Sequence, residues 1–198
     1  MKALKNSNLK VNFLHFAKQY QDVFRFLIVL FVCHFFWKYS ISFNDDLRIT
    51  ELTWLGFVDI SAPFSYVTQK TVDIVRGIFG LLGVEVEMST PRQFLFPNGN
   101  TVTVVWACNG LKQMFLFVCI ILFARGSWKQ KVWFIPLGVF VCFLFNIVRL
   151  VFLIWIVKDY YQMFDFYHEY VTKYLFYIAM FLLWVWWNEK LKFSPFDK

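Results

Sequence analysis

The sequence has no CxxC pair among its four cysteines, Cys33, Cys108, Cys119 and Cys142. Three of them sit inside apolar runs, where a thiol behaves as a small hydrophobe, and this argues against a disulfide framework. Zinc-ligand spacing is absent too, and no cofactor is expected. There is no basic helix and no RNP-like strand, so the net charge of +7 does not point to nucleic acid as a partner. The basic N-terminal stretch leads into an apolar run, yet no small-residue cleavage site follows Phe35-Phe36-Trp37-Lys38. It therefore reads as a retained first helix rather than a signal peptide. Internal repeats and low-complexity segments are missing as well.

What the chain has in abundance is apolar surface. Hydrophobic residues make up 59% of its 198 positions, including 27 phenylalanines and 9 tryptophans, and they are gathered in runs rather than in short amphipathic stripes. Lipid is the solvent such runs match, with Trp and Tyr settling at its interface. Spans are expected over about 24–43, 104–124, 132–157 and 170–187, each near the roughly 20 residues that cross a bilayer core. The expected fold is mainly α: a polytopic helical bundle of about four transmembrane helices, forming a single membrane domain over residues 1–198.

The basic residues orient this bundle. Lys2, Lys5, Lys10, Lys18 and Arg25 precede the first span, Arg125, Lys129 and Lys131 fill the loop between the second and third, and Lys190 and Lys192 follow the fourth. The positive-inside rule then places both termini in the cytoplasm of a bacterial inner-membrane protein. The segment 44–103 faces outward and holds Asp45, Asp46, Glu51, Asp59, Glu85 and Glu87.

That outer segment carries its own pattern. Ser61 and Pro63 begin a helix in which Phe64, Val67, Thr71, Ile74, Val75, Ile78, Phe79 and Leu82 fall on one face, as in an amphipathic helix lying on a membrane. Were it instead to span, Arg125, Lys129 and Lys131 would lie outside, against the charge rule. Beyond Gly83 the period changes to two, and residues 94–96 pair with 101–105 across Pro97-Asn98-Gly99-Asn100 as a short β-hairpin. Its outgoing strand delivers the chain to Cys108.

Polar groups inside the spans are few, and each calls for a partner or a task. Cys108, Asn109, Lys112 and Gln113 open the second span, Asn146 and Arg149 lie late in the third, and His168 and Glu169 precede the fourth. At 1.5 Å per residue, Cys108 stands roughly 22 Å above Phe123, Arg149 roughly 25 Å above Val132, and His168 roughly 28 Å above Trp187. A thiol, a guanidinium and an imidazole thus share one outer level. A thiolate attacks carbonyls, histidine moves the protons, and an always-charged arginine stabilises the oxyanion, so acyl transfer through a thioester is the expected chemistry. Asn146, one turn before Arg149, is expected to hold the guanidinium. Taken singly, Cys108 also fits a packing thiol, Arg149 a snorkelling cation, His168 an interfacial histidine, and Asn146 interhelical glue.

In the elements Ala107-Cys108-Asn109-Gly110-Leu111 and Asn146-Ile147-Val148-Arg149-Leu150, followed by the isolated His168, the chain resembles the exosortase and archaeosortase family of membrane-embedded cysteine transpeptidases. The likeness covers roughly residues 60–185, including Pro136. Asn109 stands where the family commonly has Ser, and the chain is a compact form with about four spans where larger members have about eight. The resemblance implies catalysis by Cys108, Arg149 and His168, with Asn146 and Asn109 supporting. It also implies cleavage of a C-terminal sorting signal, made of a motif, a transmembrane helix and a basic tail, with transfer of the exported protein to a lipid or glycan acceptor. Two other classes stay open: a non-catalytic membrane assembly or transport subunit, and a thiol oxidoreductase. The second lacks a partner thiol, since Cys119 lies about 16 Å further along the helix from Cys108.

Overall fold

The computed structural model describes residues 20–46 and 49–191. The sequence expectations for Lys2, Lys5, Lys10, Lys18 and Lys192 fall outside those residues. Among the described residues the chain is mostly helical, with two small antiparallel sheets at one end of a helical bundle.

Helix α1, Gln21–Ser40, stops before the apolar run does. Ile41 already belongs to strand β1, Ile41–Asp46, which pairs with β2, Ile49–Trp54, in the register Ile41 to Trp54. Hydropathy does not mark that boundary, because a β-branched residue suits either state. β3, Val58–Asp59, completes the first sheet through a tight turn in which Leu55 (φ 53°) and Gly56 (φ 77°) both take positive φ. Such a turn ordinarily uses Asn-Gly or Asp-Gly, and its Leu-Gly version hides this sheet from a reading of the sequence.

Helix α2 runs over Ser61–Leu81. Its start is fixed by Asp59, whose carboxylate accepts the Ser61 N–H at 2.8 Å and the Ser61 hydroxyl at 2.6 Å. Those two bonds, the hydroxyl's first, hold the Asp59 carboxyl below its ordinary value. The buried face comprises Thr68, Thr71, Val72, Val75 and Phe79, so it is rotated from the expected stripe and leaves Ile74 and Leu82 exposed. Thr68 and Thr71 can turn inward because their hydroxyls bond the Phe64 and Val67 carbonyls one turn back. Val72, Val75 and Phe79 join a core with Ile147, Leu150 and Ile154, and α2 therefore packs on the bundle as well as flanking it.

The second sheet is β4, Glu87–Thr90, β5, Gln93–Leu95, and β6, Thr101–Thr103, with Phe94 opposite Val102. This is the expected hairpin with one more strand. Of Asn98 and Gly99 only Gly99 has positive φ, 85°, and its N–H closes the turn onto the Phe96 carbonyl at 2.9 Å.

Helices α3, Leu111–Phe123, and α4, Trp128–Tyr160, follow. After a 3-10 turn at Tyr161–Met163 and the single turn α5, Phe164–Phe166, a π-turn at Tyr167–Val171 leads into α6, Thr172–Trp186. Two helical stretches among the described residues are long and apolar enough to cross a membrane, Gln21–Ser40 and Trp128–Lys190. The latter doubles back on itself. Phe134 near the start of α4 meets Trp186 and Trp187 at 5.6 and 5.2 Å, while Arg149 bonds Thr172, which makes α4 and α6 antiparallel. α1 and α3 are antiparallel too, with Trp37 on Phe115 at one end and Arg125 bonded to Gln21 at the other. Four helical arms thus alternate in direction around a core of Phe117, Ile121, Phe134, Phe176, Met180 and Trp187.

Two close contacts set the approach of α3 to α4. The Phe117 ring lies over Gly138, where an added Cβ would come within 2.0 Å of its Cζ. Lys131, 4% exposed, donates from Nζ to the Leu122 and Ala124 carbonyls at 2.8 and 2.6 Å. Those carbonyls end α3 without helical partners, and a cation there also meets the negative end of the helix dipole.

Candidate active site

The second sheet places the nucleophile candidate. Asn100 Nδ2 donates to the Val157 carbonyl at 2.9 Å and Asn98 Nδ2 to the Lys158 carbonyl, so the hairpin tip is fastened to the far end of α4. β6 then descends along α4 to a 3-10 turn at Trp106–Cys108. Gly110 ends that turn with φ 82°, and an added Cβ there would lie 2.9 Å from Asn146 Cγ. Only glycine satisfies both the backbone and the contact at this position.

Two asparagines hold the turn. Asn146, fully buried, donates from Nδ2 to the Cys108 carbonyl at 3.0 Å. Asn109, 2% exposed, accepts the Leu111 N–H at 2.9 Å, which caps α3, and donates to the Thr68 hydroxyl at 3.2 Å. Cys108 is thereby fixed between α2 and α4 through its main chain, leaving its sulfur free to face a third element.

That element is the connector between α4 and α6. His168 Nε2 lies 3.9 Å from Cys108 Sγ. Phe164 stacks on the imidazole, with centroids 5.4 Å apart and planes 17° from parallel. Nδ1 lies 3.2 Å from Glu169 Oε1. The π-turn shifts the helical pattern here, and the Thr172 hydroxyl donates to the His168 carbonyl at 3.2 Å. The same oxygen accepts Arg149 Nε at 3.1 Å. Among the described residues no hydrogen bond to the two terminal nitrogens of Arg149 is present, and the guanidinium is near enough to Cys108 and Glu169 to interact with both. In this connector burial, and then Arg149, hold His168 below its ordinary value of 6.5, against the opposing pull of Glu169 and Asp165.

The structure therefore brings together Cys108, Arg149 and His168, the residues that sequence depth placed at one level. It corrects the expectation for Asn146, which holds the Cys108 main chain while Thr172 holds Arg149. The exchange follows from geometry: Asn146 turns its Nδ2 across to the turn of another element, and its Oδ1, the atom that could accept from a guanidinium, is buried without a hydrogen-bond partner. Thr172 and Thr68 escaped the sequence reading because a hydroxyl in a helix satisfies itself on the preceding turn and calls for no explanation. A usable signal for Thr172 was its place four residues after His168. Cys119 is buried further along α3 and Cys33 is partly buried on α1, both away from Cys108.

The arrangement offers a thiol, a base positioned to take its proton, and a fixed cation with unused donors. These are the parts of a cysteine acyl-transfer centre. In comparison with known proteins, the family model described as transmembrane exosortase matches residues 49–185, which takes in every one of these residues. Neither the curated proteins nor the solved structures compared include a match to the chain.

Proposed function

The chain belongs to the transmembrane exosortase family, and from that premise we propose that it is a membrane cysteine transpeptidase acting through Cys108, His168 and Arg149. The observation that carries this reading is the 3.9 Å approach of Cys108 Sγ to His168 Nε2 beside a guanidinium tethered by Nε alone. Its substrate is an exported protein ending in a short motif, a transmembrane helix and a basic tail.

His168 takes the thiol proton as Cys108 Sγ adds to the scissile carbonyl carbon. The carbonyl π pair moves to oxygen, where the terminal nitrogens of Arg149 meet the developing charge. Collapse breaks the C–N bond, His168 returns its proton to the departing amine, and a thioester remains. An amine or hydroxyl on a lipid or glycan acceptor then adds to the thioester carbonyl, giving its proton to His168. The thiolate leaves and recovers that proton.

The arms supply four membrane passes, with α3 completed by the turn before it and α6 by the π-turn Trp187–Leu191 that follows it. Arg25 and Arg125 line one cleft at the bundle end opposite Cys108. The positive-inside rule makes that end cytoplasmic and sets the reacting groups at the outer face.

The test expresses the chain with an exported protein carrying such a C-terminus and follows substrate size and surface attachment. Wild type is expected to remove the tail, Cys108→Ala to leave it, and Cys108→Ser to be at least 100-fold slower. Unchanged processing by Cys108→Ala would instead make this a non-catalytic assembly or transport subunit.

A further inference from the structure

Resting on the transpeptidase reading, we propose that Glu169 is a positioning residue, whose carboxylate fixes the ring orientation and tautomer of His168. The imidazole has two nitrogens with distinct neighbours. Nε2 faces Cys108 Sγ at 3.9 Å and Nδ1 faces Glu169 Oε1 at 3.2 Å. A carboxylate can only accept, so Nδ1 carries the proton and Nε2 presents its lone pair to the thiol. The opposite tautomer would leave no base at the sulfur. Phe164 stacking on one ring face restrains tilt but not rotation about the stacking axis, and the Glu169 contact supplies that remaining restraint.

The carboxylate is itself held. Glu169 Oε2 lies 3.8 Å from Lys173 Nζ, one helical turn on, so its two oxygens are divided between the ring and the lysine. The π-turn that includes both His168 and Glu169 sets this adjacency. The charged or titratable groups bearing on His168 are Cys108 from the 3-10 turn, Arg149 from α4, and Asp165 and Glu169 from its own connector. Of these, Glu169 alone contacts Nδ1 among the described residues.

The experiment compares Glu169→Ala and Glu169→Gln with wild type and Cys108→Ala, using the full chain in membranes and a fixed sorting-signal substrate. Glu169 is more than half exposed, so the expected loss in Glu169→Ala is about tenfold in kcat with KM unchanged. Glu169→Gln keeps an acceptor oxygen and is expected to recover most of that loss. In Glu169→Ala the acid limb of the pH profile should also move to lower pH, because a negative neighbour of the imidazolium is gone. Wild-type kcat in Glu169→Ala overturns the inference, as does a loss matched by a fall in thermal stability with the pH profile unmoved. Inactive Cys108→Ala beside fully active Glu169→Ala refutes the role of Glu169 alone. Fully active Cys108→Ala refutes the transpeptidase reading itself.

Discussion

The Asn146 side chain donates to the Cys108 main-chain carbonyl at 3.0 Å, so α4 grips Cys108 by its backbone and leaves the sulfur to the connector. Gly110 makes room for that grip. Alanine at Gly110 must accept φ 82° and crowd Asn146 Cγ at 2.9 Å, the backbone part alone costing about 1–2 kcal/mol. Processing by Gly110→Ala is expected to fall more than tenfold with helical content retained. The double variant with Asn146→Ala should be little worse than Gly110→Ala, because both changes break the same contact. Fully additive losses in that cycle would count against it.

Arg149 and Thr172 form the second testable pair. Lysine cannot both bond the Thr172 hydroxyl and offer two further donors in a fixed plane, so Arg149→Lys is expected to lower the processing rate about 10²–10³-fold. Thr172→Val removes the hydroxyl at nearly constant shape and should cost roughly tenfold, whereas Thr172→Ser should stay near wild type. Equal rates for the valine and serine variants would remove Thr172 from the account.

Gly138 predicts a loss of stability with no chemical cause. The Phe117 ring is fully buried and the clash with an added methyl at 2.0 Å involves the ring itself. Gly138→Ala is expected to destabilise the fold by about 1–3 kcal/mol, and Phe117→Leu in that background to restore part of it. Thermal unfolding in detergent checks both, and an unshifted midpoint in Gly138→Ala would show that the two arms can separate freely.

The pH dependence follows from His168. A base must be neutral to take the thiol proton, and a group held below 6.5 stays neutral to lower pH than an ordinary histidine. The processing rate should therefore decline only as pH falls through a value under 6.5, and His168→Ala should abolish that limb with the activity. A wild-type acid limb centred above 6.5 would contradict this.

Much of this site was legible as depth. Helical rise alone put Cys108, Arg149 and His168 at one level, because helices of alternating direction, each measured from the same end of the bundle, gain the same height per residue whatever their packing. The bonds that hold the level were not legible. Thr172 is an ordinary helical residue until Arg149 crosses to it, and Asn146 offers the same amide to a guanidinium or to a carbonyl. The inward face of α2 was displaced for a related reason: the Thr68 hydroxyl, bonded to the Phe64 carbonyl, also accepts from Asn109, forty-one positions away. The first sheet was missed because Leu55 occupies a left-handed position that sequence preference reserves for Gly, Asn or Asp.

The strap that carries Cys108 is buckled to α4 twice, by Asn98 and Asn100 at its top and by Asn146 at its foot. Cys108 and Arg149 consequently take their positions from one rod, while His168 hangs from the neighbouring arm. The rod joins that arm at the reacting level through the Arg149 bond to Thr172 and the Cys108 approach to His168. A small parting of α4 from α6 would release both together and leave Cys108 and Arg149 in register. The proposed set is thus divided into a fixed pair and a detachable imidazole, and the seam between the arms works as a clasp.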